Sequence, residues 1–231
     1  MEVEFRAVSF AFPGKPPVLR DISLTIPEGT SLGLIGPSGC GKTTLGQLVP
    51  RYYDPDQGSV WIDGRPLVEY QPMKLRRKIG IIAQQPFIMT GSVRENLTFG
   101  NDQPDQRLID MIDLVRPEFW STLPHGLATQ VGEGGVRLSG GERQCLAIIR
   151  ELLRPVEFIL IDEATASLDA ESQLVVQAAI NATLKQRVTT IMIAHRLSTT
   201  RACERLCVMR RVSECPEHGS HIEAIGTSHE D

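Results

Sequence analysis

Apolar residues along the chain follow two rhythms. Val3–Phe5, Val8–Phe10 and Ile22–Ile26 are short runs rich in branched and aromatic residues. Turn signals at Pro13-Gly14 and Pro27-Glu28-Gly29 separate or close them, so they predict strands. Ser31–Ile35 predicts another strand, running into the glycine-rich stretch Gly36–Gly41, and Thr43–Val49 a helix ended by Pro50. Val60–Ile62 and Ile79–Ala83 add further strands. From Pro86 to about Arg154 helical spacing takes over: Leu108, Ile109, Ile112 and Val115 share one face, and Leu146, Ile149, Leu152 and Leu153 another, ended by Pro155. Phe158–Ile161 and Thr189–Ala194 return to the buried-strand pattern, with a helical Ser172–Ile180 between them. This order predicts an α/β core with an antiparallel β portion near the N-terminus and an inserted α-helical subdomain. Residues 1–231 are expected to form a single domain, with 1–85 and 156–231 as the core and 86–155 as the helical insert.

Composition narrows the function classes. Lys plus Arg is 24 against 28 for Asp plus Glu, a net charge of −4, so no general attraction for nucleic acid or anionic lipid is expected and any polyanion must be gripped locally. No apolar run approaches the roughly 18–20 residues that span a bilayer. The first twenty residues lack the apolar core of a signal peptide, which points to the cytosol. The 5 cysteines are scattered and odd in number, as free thiols would be. Cys203, Cys207, Cys215, His218 and His221 lie close in sequence, but their spacing fits none of the usual structural zinc sites.

Gly36-Pro37-Ser38-Gly39-Cys40-Gly41-Lys42-Thr43-Thr44 matches the pattern G-x-x-x-x-G-K-[ST] between a predicted strand and a predicted helix. Glycines let the backbone wrap a phosphate chain, and the N–H groups and helix start then face the anion. Lys42 supplies charge for the β- and γ-phosphates, and the Thr43 hydroxyl can ligate Mg²⁺. A P-loop NTPase (RecA-like) core that grips a nucleoside triphosphate by its phosphates is therefore expected. Cys40, near a helix start, should be a reactive thiol open to redox inhibition. Phe158-Ile159-Leu160-Ile161-Asp162-Glu163 ends an apolar strand in two carboxylates at the edge where α/β sheets bind ligands. Asp162 would hold Mg²⁺, and Glu163 would polarise a water for in-line attack. Taken alone, such an acidic pair is as well read as a helix cap.

Further motifs make the pattern specific. Leu138-Ser139-Gly140-Gly141-Glu142-Arg143-Gln144 resembles the signature motif of ATP-binding cassette (ABC) transporters. Asp162 to Asp169 resembles the acidic strand end and D-loop of that family, Ile193-Ala194-His195-Arg196-Leu197-Ser198 its H-loop, and Gln84 occupies its Q-loop position. The resemblance covers about Val3 to Arg205. It implies ATP as substrate, Mg²⁺ as its metal, and Phe12 as the aromatic residue that stacks on adenine, where family members usually carry Tyr. It implies that Gln84 touches the metal and the attacking water, and that His195 holds Glu163 and the γ-phosphate. It also implies head-to-tail pairing with another ABC ATPase domain, as homodimer or heterodimer, in which Ser139, Gly140, Gly141 and Asp169 complete the partner's site.

Thr129-Gln130-Val131-Gly132-Glu133-Gly134-Gly135 resembles the X-loop of exporter-type members, and Gly91–Leu97 is also exporter-like. These imply a transmembrane partner, upstream in the same chain or on a separate subunit, and a peripheral position on the cytoplasmic face of the membrane. Two departures are tolerable: Ala166-Ser167 for Ser-Ala in the D-loop, and Glu142 for the usual Gln. After Arg205 the resemblance fades, and the family's strand–turn–strand is replaced by Met209–Pro216. Three rivals remain. A non-transport ABC ATPase of DNA repair or translation, the alternative that stays open, would carry long insertions, which are absent; a GTPase would need an N/T-K-x-D motif, also absent; a regulatory subunit would have lost Glu163, Ser139 or His195, all of which are present.

Overall fold

The computed structural model describes residues 1–165, 173–174, 176–178, 180–181, 188–194, 200, 202–211 and 220–227. The chain divides into two compact units. Met1–Gly80, Glu157–Glu163 and Arg187–Asp231 form the first, and Ile81–Val156 with Ala164–Gln186 the second. The sequence division had assigned 164–186 to the core. In chain order the elements are β1 (Val3–Ala11), β2 (Pro17–Ile26), β3 (Ser31–Ile35), α1 (Lys42–Leu48), β4 (Gln57–Ile62), β5 (Arg65–Pro66), α2 (Pro72–Arg77) and β6 (Ile79–Ile82). Then come β7 (Gly91–Ser92), α3 (Val93–Thr98), α4 (Asp105–Val115), β8 (Gln130–Val131) and α5 (Gly140–Leu152). The chain returns through β9 (Phe158–Asp162), β10 (Thr189–Ile193), β11 (Arg205–Arg211) and β12 (Ser220–Thr227).

The strands run in the order β5-β4-β1-β2-β12-β11-β3-β10-β9-β6. β11, β3, β10 and β9 are mutually parallel neighbours. β3, β10 and β9 are mostly apolar because parallel strands are covered on both faces, and Leu32, Leu34, Phe158–Ile161 and Ile191–Ile193 are all buried. β1 pairs antiparallel with β2 and β4. The two short strands expected at Val3–Phe5 and Val8–Phe10 are one strand with an irregularity between them. Ala7 takes a positive φ of 50° there, and its N–H donates to Ser23 Oγ at 3.1 Å. Such a bulge interrupts the alternation from which strand continuity is read.

One expectation is overturned at the C-terminal end. Instead of losing the strand–turn–strand, the chain forms β11 and β12 as an antiparallel pair, Arg205 opposite Thr227 and Arg211 opposite Ser220. Leu206, Cys207 and Val208 lie against β3. Tertiary pairing to a buried strand supplies what local pattern lacks. Burial pushes the thiols of Cys203 and Cys207 up to about 12. Cys215 and His218 lie outside the described residues.

The second unit is held by a buried polar network. Arg150, on the packed face of α5, donates from Nε to Asn96 O at 2.7 Å, from Nη1 to Phe87 O at 2.9 Å and from Nη2 to Asn96 Oδ1 at 3.2 Å. Its guanidinium also lies 4.8 Å from the Phe99 ring centroid. Asn96 is fully buried and bonds both N–H and C=O of Met89. Burial lowers the Arg150 pKa by desolvation, although Glu151 opposes this. Arginine tolerates the position because every bond it makes is to an oxygen with no other charge to answer. Replacing Arg150 by Met strands these acceptors, so Arg150→Met is expected to lower stability by about 2–4 kcal/mol, read as a lower midpoint of chemical denaturation. An unchanged midpoint would deny the network any net stabilising role.

Candidate functional site

β3 ends at Ile35, and the next six residues turn the chain into α1, whose N-cap is Gly41 at φ 84°. Only glycine holds that left-handed conformation without strain. Gly36 is needed for space as well: a Cβ there would fall 2.2 Å from the Met209 carbonyl oxygen and 2.9 Å from Cys40 Sγ. Lys42 is buried, and its ammonium donates to Gly36 O at 2.8 Å and Pro37 O at 3.0 Å. The loop thus closes around its own cation, facing the start of α1. Cys40 is wholly buried with Sγ 3.8 Å from Lys42 Nζ, so the thiol expected to be reactive is shielded from solvent.

The acidic strand end meets this loop. β10 lies between β3 and β9, and Ile193 stands opposite Leu34 on one side and Asp162 on the other. This register sets Asp162 level with the start of the phosphate loop. The Thr43 hydroxyl donates to Asp162 Oδ1 at 3.1 Å. Glu163 takes a positive φ of 49°, and its N–H donates to Ile193 O at 3.0 Å. For a non-glycine residue this conformation costs on the order of 1–3 kcal/mol, and such outliers concentrate at functional sites. The backbone turns away from the sheet there, carrying the side chain to the cleft.

That cleft, about 330 Å³, is lined by Phe12, Val18, Ser38, Gly39, Gly41, Lys42, Thr43, Thr44 and Glu163. Eight of these nine were named from the sequence. Val18, in β2, was not, and the apolar alternation of that strand offers no signal of a ligand. Gly36, Pro37 and Cys40 belong to the same loop without lining the cleft. A triphosphate with a magnesium ion fits this donor set. Positive-φ glycines leave room for phosphate oxygens, Lys42 is the adjacent cation, and Thr43 and Asp162 present hard oxygens side by side.

In the second unit, Gln84 is exposed just beyond β6. The buried Gln144 side chain donates from Nε2 to Ala83 O at 3.1 Å, tying α5 to the residue before Gln84. Ser139 caps α5, which starts at Gly140. Its Oγ accepts from Glu142 N–H at 3.2 Å, and its own N–H donates to Glu142 Oε2 at 2.6 Å. This reciprocal box accepts Glu or Gln at the third helical position, which explains why Glu142 can stand where Gln is usual. Gly140 and Gly141 fill the first turn. In the Thr129–Gly135 segment, Thr129 is buried while Gly132, Glu133 and Gly134 are exposed. The Thr129 hydroxyl accepts from His125 N–H at 3.0 Å and its carbonyl from Val93 N–H at 2.9 Å. His195 and Asp169 lie outside the described residues.

Residues 19–166 match the family model described as ABC transporter. The chain is 39% identical over 226 residues to an ABC multidrug transporter, mdr2, of Aspergillus fumigatus, covering 96% of this chain and 28% of that protein. It is 40% identical over 232 residues to mitochondrial ATP-binding cassette sub-family B member 10 of Mus musculus, covering 96% of this chain and 32% of the other. Among solved structures it resembles a bacterial Atm1-family ABC exporter with ATP bound, with a TM-score of 0.84 at 30% identity, over 98% of this chain and 39% of that one. The chain therefore spans about a third or less of the curated relatives. A family match that begins in β2, runs through the phosphate loop and ends past the acidic strand makes this chain a member of the ABC transporter family, as its nucleotide-binding domain.

Proposed function

We propose that this chain hydrolyses MgATP to ADP and phosphate and serves as the motor of an exporter-type transporter. The observation that carries the reading is the contact of Thr43 with Asp162, with Glu163 on the same cleft as the phosphate loop. ATP binding follows from the family; the assignment of roles is our own. The Lys42 ammonium and the N–H groups of Ser38, Gly39 and Gly41–Thr44, which line the cleft, hold the phosphates. Thr43 and Asp162 are the residues that would hold magnesium, and the family resemblance gives Gln84 a role toward the same ion. A bound magnesium ion supplies charge neutralisation on the β- and γ-phosphates. Glu163 accepts the proton of a water whose oxygen attacks the γ-phosphorus in line, as the bond from phosphorus to the ADP oxygen breaks. His195 steadies Glu163 and the water. No covalent enzyme intermediate is needed, and the rate comes from positioning and charge.

The remaining parts of the reading concern partners. Ser139, Gly140, Gly141 and Asp169 act on the nucleotide of a second domain, equal or different, in a head-to-tail dimer. The exposed Ser139 hydroxyl supports this, because the capping bond it accepts leaves its own proton to donate. Closure of that dimer would drive a transmembrane domain, with this domain peripheral on the cytoplasmic face. Names of relatives that include multidrug transporters, and the exposed Gly132–Gly134 tip, favour an exporter. Among the described residues no helix is long and apolar enough to cross a membrane.

Glu163→Gln is expected to keep ATP binding and slow hydrolysis by about a hundredfold or more, with ATP trapping a dimer on size exclusion. Retained turnover would remove Glu163 as the base. Lys42→Ala is expected to weaken ATP binding by about tenfold to a hundredfold, checked by titration calorimetry. Unaltered affinity would overturn the phosphate-loop reading.

A further inference from the structure

Phe12 borders the cleft, and its ring is one of three in mutual contact. Its centroid lies 5.0 Å from that of Phe10 and 5.3 Å from that of Tyr53, nearly perpendicular to both at 84° and 88°. Phe10 and Tyr53 complete the triangle at 5.4 Å, tilted by 43°. Edge-to-face contact is the arrangement that the ring quadrupoles favour. Phe10 is buried on β1, whereas Tyr53 is 39% exposed and belongs to the turn that follows α1.

That turn is anchored at both ends by hydrogen bonds. Tyr52 N–H donates to Gln47 O at 3.2 Å, fastening it to α1. Asp56 N–H donates to Ser9 O at 2.9 Å, and Asp56 Oδ2 accepts from Ala11 N–H at 2.7 Å, fastening it to β1. Tyr53 therefore approaches Phe12 from a fixed position. α1 begins at Lys42 in the phosphate loop and leads into this turn. One short helix consequently relates the phosphate end of the cleft to the aromatic end.

We propose that Tyr53 is a positioning residue for the nucleotide base: its edge-on contact sets the plane of Phe12 and so raises the affinity of the cleft for the purine ring, leaving the triphosphate contacts untouched. The inference rests on the reading of Phe12 as the ring that stacks on adenine. A single neighbour, Phe10, limits the tilt of the Phe12 ring. The second, Tyr53, limits its rotation as well. A ring ordered before the ligand arrives does not lose that freedom on binding, and the gain appears as affinity. Stacking is indifferent to which phosphates are attached, so the effect belongs to the base alone.

The test compares titrations of ATP and of inorganic tripolyphosphate, both with magnesium, against the full chain and three variants. Tyr53→Leu is expected to weaken ATP by about threefold to tenfold and to leave tripolyphosphate unchanged. Tyr53→Phe, which keeps the ring, is expected to restore ATP affinity to within about twofold. Phe12→Ala is expected to weaken ATP at least as much as Tyr53→Leu does, again with tripolyphosphate unchanged. If Phe12→Ala weakens ATP and Tyr53→Leu does not, the inference fails while the role of Phe12 stands. If Phe12→Ala leaves ATP affinity intact, the reading of Phe12 fails and takes the inference with it. Equal loss of ATP and tripolyphosphate in Tyr53→Leu would make the contact a support of the whole loop and overturn the proposal.

Discussion

The site depends on one alignment of parallel strands. Ile193 stands between Leu34 and Asp162, so β3 and β9 end at the same level although 120-odd residues separate them along the chain. Parallel strands deliver their C-terminal ends to one edge, where loops can meet. The loop that leaves β3 and the carboxylate that ends β9 then come within one hydrogen bond, Thr43 to Asp162. A slip of one residue in β9 would turn Asp162 toward the opposite face of the sheet. The buried apolar runs of these strands guard the register that the chemistry needs.

Around that alignment the chain holds several unfavourable conformations. Glu163 sits in the left-handed region, the phosphate loop relies on positive-φ glycines, and the Lys42 ammonium is buried among loop carbonyls. None of these would persist on an isolated segment. They are sustained by rigid neighbours: the Glu163 N–H bonded to Ile193, and Gly36 packed beneath the Met209 carbonyl. The β11 strand, whose local sequence gives little sign of it, thus forms the floor of the phosphate loop.

The second unit follows a different principle, with polar groups satisfied internally. Ser139 and Glu142 cap α5 reciprocally, and Arg150 and Asn96 join α5 to α3 and to the Phe87–Ser92 stretch. Gln144 fastens the same helix to Ala83. The serine proposed to act on a partner's nucleotide and the segment leading to Gln84 are therefore attached to one helix.

Much of this was legible in the residues alone. The phosphate loop, the paired carboxylates and the serine–glycine helix start are local patterns, and local chemistry dictates them: glycine where φ is positive, an acceptor side chain at a helix cap, a β-rich run where both faces are covered. Other features depend on residues far apart. β1 reads as two strands because the bulge at Ala7 breaks its alternation, and β11 and β12 were missed because their stability comes from pairing with β3 rather than from their own pattern. The αL turn at Glu163, the burial of Cys40, and the meeting of Tyr53 with Phe12 carry no sequence signal at all. The amino-acid sequence by itself determined which groups could bind and activate a triphosphate. Only the tertiary structure decided their separations and orientations, because those are set by strand register and by packing between segments that share no local code.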